Sequence, residues 1–183
     1  MKTIATCITA ALVALSAAVA WSAAPKEGPE GLTDAQIAAI VVAANQADID
    51  AGKVAESKTQ NKDVKAFAQQ MVADHTSVNK AATELAQKLK LTPEPNATSE
   101  KLQKGGEENV AKLKTLQAGK PFDAYYMNHE VYYHKAVLEE LDKRLIPGAQ
   151  NAELKALLVK ARPTFEAHLA HAQQVQKDVE KSG

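Results

Sequence analysis

The chain has 183 residues, 45% of them hydrophobic but only 4% aromatic, with 22 basic and 22 acidic side chains. That length supports one domain with a sizeable core, and a composition rich in alanine and poor in glycine and proline favours packed helices over strands. Balanced charge without a basic cluster argues against nucleic acid as a partner.

Residues 1–20 have the layout of a cleaved secretory signal. Lys2 is followed by an apolar run from Ile4, which ends in the small-residue pattern Ala18-Val19-Ala20 before Trp21. The run is short for crossing a bilayer and rich in alanine, so an uncleaved anchor is the weaker reading. The mature chain is expected to lack a stable membrane span and to be secreted across the inner membrane, to a periplasmic or outer-membrane-associated position. Cys7, the single cysteine, leaves with this segment, so no disulfide is expected. A leader over residues 21–32 then precedes one domain over residues 33–181.

The first helix is predicted from Thr33, with Gln36 in capping-box position, to about Lys58. Its inward stripe is Ile37, Ile40, Val41, Ala44, Asp48, Ala51, Gly52 and Ala55. Gln60-Asn61 turns the chain into a second helix over residues 62–90, a length of about 43 Å at roughly 1.5 Å per residue. Val64, Phe67, Met71, Val78, Ala82, Leu85 and Leu89 keep the three-and-four spacing of a buried stripe, and His75 lies in the same phase.

Thr92-Pro93-Glu94-Pro95 stops this helix. A more polar helix is predicted over residues 99–116, bent or broken at Gly105-Gly106, and Asn96-Ala97-Thr98 matches a short glycosylation pattern that is commonly incidental. The next long helix covers residues 121–146 and ends at Pro147-Gly148. Tyr126, Met127, Val137, Leu138, Leu141 and Leu145 share one side, with Glu130 and His134 at its centre and His129 well off it. The last helix starts at the Asn151 cap and reaches about Val179. Leu154, Leu158, Phe165, His168, Ala172 and Val175 line its stripe, Pro163 is expected to bend it, and His171 is expected to face solvent.

Two tightly joined helices, a long crossover carrying a short extra helix, and two more tightly joined helices form an all-α, ferritin-like four-helix bundle. Each of its long helices brings an ionisable side chain to mid-length on an apolar stripe: Asp48, His75, Glu130 with His134, and His168. Imidazoles and carboxylates in that arrangement suit one transition-metal ion such as zinc, copper or iron. His75, His134 and His168 are then ligands, with Asp48 and Glu130 as ligands or as acceptors that orient the rings. Met71 and Met127 could add soft ligation or simply fill the core. The alternative is a metal-free hydrogen-bond network that fixes helix register.

The segment Phe67-Ala68-Gln69-Gln70-Met71-Val72 through Asp74-His75-Thr76 and Asn79, the Tyr132-Tyr133-His134-Lys135-Ala136-Val137-Leu138 run, and His168-Leu169 with Ala172 together carry a resemblance. They resemble an exported bacterial family of unknown function, the domain of unknown function 4142, whose members are often labelled outer-membrane proteins. The resemblance extends over residues 32–179 and implies a ferritin-like fold and export, with His75, His134 and His168 as motif histidines but no substrate. The chain departs from di-iron bundles, which use Glu-x-x-His on two helices: Val72, Tyr126, Val131, Phe165 and His168 stand three residues before the five histidines. A mononuclear, histidine-rich site is the expected form. Alternative roles are a metal-dependent oxidoreductase acting on oxygen species, and an envelope protein that docks a protein partner through its surface. No Ser/His/Asp set, phosphate loop or catalytic carboxylate pair is readable.

Overall fold

The structure, a computed structural model, describes residues 31–181; the expected signal, most of the leader and Cys7 lie outside them. It is all-α. Helix α1 spans Asp34–Lys58, α2 Lys62–Lys88, α3 Ala97–Thr115 and α4 Lys120–Glu140. The α4 segment continues through a π-helical stretch, Leu141–Leu145, and a last turn, Ile146–Gly148, before α5 at Ala152–Lys181.

Local chemistry sets the helix ends. Thr33 and Gln36 close the expected capping box of α1. Asn61 accepts from the Asp63 and Val64 amides to start α2, and Asn151 does the same for α5 through Glu153 and Leu154. Helix α2 ends two residues earlier than its periodicity predicts, because Lys90 takes a left-handed φ of 55° and the Leu91 amide turns back to the Ala86 carbonyl. Asn96 is nearly buried and caps α3 through the Thr98 and Ser99 amides, so its pattern with Thr98 has a folding role. Gly119, at φ 122°, supplies the backbone freedom that lets α4 restart with Pro121 in its first turn.

The expected break in α3 does not occur. Gly105 and Gly106 sit within an unbroken helix. Gly106 is there for proximity, since a Cβ on it would lie 2.7 Å from the Ala47 Cβ of α1. Gly52 permits a similar approach of α1 to Val72 and the Ala68 carbonyl of α2. The α4 segment also differs from a plain helix to Ile146. Its last turns widen into π geometry, closed by the Ile146 amide on the Leu141 carbonyl.

Two apolar clusters make the core. One gathers Ala51 and Ala55 (α1), Val64, Phe67 and Met71 (α2), Phe122, Tyr126 and Met127 (α4), and Ala172, Val175 and Val179 (α5). The other gathers Ile37, Ile40 and Val41 (α1), Ala82 (α2), Leu141 and Leu145 (after α4), and Leu154, Leu158 and Phe165 (α5). Each long helix passes from one cluster to the other. Helices α1 and α5 run one way, and α2 and α4 run the other. A parallel α2–α4 pair requires a return crossing, which α3 provides by packing along α1. The carboxylate of Asp34 accepts from the Gln150 and Asn151 amides, and Lys58 donates to the Leu113 and Lys114 carbonyls, pinning both ends of α1. Among the described residues no helix is long and apolar enough to cross a membrane.

Candidate metal centre

Between the two apolar clusters lies a polar layer. It consists of Asn45 and Asp48 from α1, His75 from α2, Glu130 and His134 from α4, and His168 from α5. The five residues singled out by sequence are each no more than 2% exposed, so all of them come together at one level. The rings of His75, His134 and His168 stand 5.2–5.6 Å apart, centroid to centroid. Phe165 stacks on His75 at 5.2 Å and walls the layer from the second cluster.

The outer nitrogen of each imidazole is committed to an acceptor. Asn45 donates its amide N–H to the Val41 carbonyl at 2.8 Å, which turns Asn45 Oδ1 toward His75 Nδ1 at 2.7 Å. His134 Nδ1 lies 3.0 Å from the Glu130 backbone carbonyl. His168 Nε2 lies 2.9 Å from the half-exposed Asp74 carboxylate. A carbonyl or carboxylate can only accept, so each of these ring nitrogens carries the hydrogen. The opposite nitrogens, Nε2 of His75 and His134 and Nδ1 of His168, are left as buried lone pairs.

The inner nitrogens of His75 and His134 face a carboxylate rather than a donor. Asp48 Oδ2 is 2.8 Å from His75 Nε2 and 3.5 Å from His134 Nε2. Both Asp48 oxygens, Glu130 Oε2 and the three inner ring nitrogens are buried without a hydrogen-bond partner among the described residues. Ligand atoms of His75, His134 and His168 lie within 4.8 Å of one another, as do those of Asp48, Glu130 and His134. With bonds near 2.1 Å for a nitrogen or oxygen ligand, two ligands of one ion stand at most about 4.2 Å apart, so each group comes close to the spacing that an ion shared within it needs. The donor set and its outer hydrogen bonds fit a metal ion.

Burial sets the electrostatics of this layer. Burial pushes His134 down to about 4, with only partial opposition from Asp48. Burial also lowers His168, against the pull of Asp74. These imidazoles are therefore neutral near pH 7. Burial opposes the charge on Asp48, but His75, His134 and His168 outweigh it and hold the carboxyl well below its ordinary range. Glu130 goes the other way: burial, then the Asp48 carboxylate, raise it well above the usual value.

The remaining candidates fall outside this constellation. Met71 and Met127 belong to the first apolar cluster. His129 stacks on Tyr133 at 5.7 Å and meets Asn109 at 3.3 Å, at the α3–α4 boundary. His171 is not free in solvent as expected; it is half-buried, edge-on to Phe67 and bonded to Gln70. Helix α5 runs through Pro163 without interruption. Sequence reasoning did not single out Asn45, although it lies four residues after Val41 and three before Asp48, within the inward arc. It also missed Asp74, whose position on the α2 surface gave no sign that it reaches His168.

A cavity of about 310 Å³ opens between α1, α3 and α4, and Asp48 and Glu130 are part of its lining. None of the three clustered imidazoles lines it.

Comparison with protein families finds a match to the domain of unknown function DUF4142 over residues 17–175. The chain belongs to that family. Neither the curated proteins nor the solved structures gave a match.

Proposed function

We propose that this member of the DUF4142 family is an exported bundle that binds one transition-metal ion, of the zinc, copper or iron kind, inside its core. His75, His134 and His168 supply imidazole ligands and Asp48 a carboxylate. Glu130 either joins them or takes up the proton balance beside them. The observation that carries this reading is the set of three imidazole lone pairs buried without a donor, each fixed by an acceptor on its other nitrogen. A metal-free network would instead turn at least one ring N–H toward Asp48, as a neutral imidazole beside a carboxylate does. Softness does not choose among the metals here, because nitrogen and oxygen donors suit several of them.

The test is metal analysis of the protein purified from the exported fraction, beside a His75→Ala/His134→Ala double variant. About one equivalent of metal in the parent, lost in the variant, is the expected result. A parent that holds no metal after equilibration with zinc, copper(I) and iron(II) leaves only the hydrogen-bond network. Peroxide- or oxygen-dependent turnover by the loaded protein would extend the reading to an oxidoreductase.

A further inference from the structure

We infer that the Asp74 carboxylate, with His168 behind it, is the port through which a divalent cation reaches the buried layer. The inference rests on the metal reading above and assigns that site its route of entry.

Every ligand proposed for the ion is closed off from solvent, since His75, His134, His168, Asp48 and Glu130 are each no more than 2% exposed. An ion from solution enters only as part of that wall gives way. The outer hydrogen bonds of the three rings show where. His75 is held by Asn45, which is itself buried and tied to the Val41 carbonyl. His134 is held by the Glu130 carbonyl, a fixed part of the α4 backbone. Of the three, His168 is the one held by a group that solvent reaches. The Asp74 side chain is 39% exposed and accepts from His168 Nε2 at 2.9 Å. One imidazole thus spans from that carboxylate to the layer, where its Nδ1 is buried without a hydrogen-bond partner.

The surroundings of Asp74 suit a cation. Several surface acids are matched by a basic side chain: Glu139 by Lys143, Glu140 by Arg144 and Asp142 by Arg162. Among the described residues Asp74 has no lysine or arginine in ion-pair reach, and its ion-pair partner is His168. Gln70 completes the arrangement. Its amide nitrogen faces Asp74 at 3.4 Å, so its carbonyl oxygen accepts from His171 Nδ1 at 3.0 Å. His171 Nε2 is left as a second imidazole lone pair, one turn along α5 from His168. Loading then needs no change of protonation. A cation held by Asp74 loosens the bond from the His168 Nε2 hydrogen, and the ring turns outward. Its Nδ1 lone pair takes the ion and carries it back to His75 and His134, while the Nε2 hydrogen returns to Asp74.

The experiment follows cobalt(II) uptake by the chelator-treated mature chain in a stopped-flow spectrometer, with release read by transfer to excess chelator. Asp74→Asn is the test, because an amide oxygen still accepts from His168 while the charge is gone. Association is expected to slow by about tenfold or more, with release slowed alongside it and affinity within about threefold of the parent. Added salt is expected to slow association in the parent and to do so less in the variant. Glu84→Gln, which removes an exposed acid farther along α2, is expected to leave both rates unchanged. Unaltered association in Asp74→Asn would overturn the port, as would equal slowing by Glu84→Gln. Faster release alone, with binding weakened about 10–100-fold as for a lost orienting partner, would overturn it too and leave Asp74 only holding His168. A parent that takes up no cobalt would overturn the metal reading itself, and the parent's end-point absorbance tells these failures apart.

Discussion

Asn45→Leu isolates the orienting contact from the ligands themselves. The substitution keeps the branched outline of the side chain, with somewhat more bulk, and removes the acceptor that holds His75 Nδ1 at 2.7 Å. The Val41 carbonyl keeps its place in the α1 ladder, so losing the Asn45 amide there costs little. Two consequences follow. The His75 N–H is left unpaired in a layer 2% exposed, at about 1–3 kcal/mol of stability. The ring is also free to move its proton to Nε2 and donate to Asp48, 2.8 Å away, which spends the lone pair a metal would use. Loss of such an orienting partner typically weakens metal binding about 10–100-fold, or roughly 1.4–2.7 kcal/mol. Urea unfolding of chelator-treated protein measures the first effect, and competition for zinc against a chelator measures the second. Zinc affinity within twofold of the parent, alongside reduced stability, would refute the assignment of His75 as a ligand held in tautomer by Asn45.

Other outcomes follow from the same geometry. In chelator-treated protein, His134 lies near 4 when folded against about 6.5 unfolded. Its contribution is therefore complete above about 6.5 and is lost as pH falls toward 4, up to about 3 kcal/mol. Glu130 has the opposite sign: its raised folded value makes the metal-free protein lose stability as pH rises above the ordinary carboxylate range. Urea midpoints of Glu130→Gln and His134→Gln between pH 4 and 8, set beside the parent, separate the two trends, and a profile unchanged by both substitutions would contradict them. Gly105→Ala is expected to stabilise by up to about 1 kcal/mol, since it adds helix propensity into open space. Gly106→Ala should destabilise despite the same propensity gain, because its Cβ meets Ala47 at 2.7 Å; thermal melts of the pair give the comparison.

The fold was legible because the apolar stripes of four helices are long and well capped, as at Thr33, Asn61 and Asn151. The core of the candidate site was legible for a related reason. Asp48, His75, Glu130, His134 and His168 each sit in phase with residues that must be buried, so the pattern exposes them as exceptions. Asn45 escaped notice because a neutral amide on a helix is a weak exception. Asp74 escaped because its α2 position is solvent-facing and its partner is 94 residues away on α5. The widened turns at Leu141–Leu145 leave leucines at a helical spacing and so carry no periodic signature. The uninterrupted α3 shows that a glycine pair can answer to a neighbour's surface as well as to a kink.

The split of the core into two apolar halves gives a bound cation a mechanical part. It would fasten α1 and α2, on one side of the crossover, to α4 and α5 on the other, acting as a removable cross-link at the waist of the molecule. The chain enclosed runs from Asp48 to His168, most of the described sequence, so such a tie restricts the unfolded chain strongly. Stripping the cation would loosen the seam where the two halves meet. Amide exchange should then quicken first around Asn45, His75 and His134, ahead of either hydrophobic half.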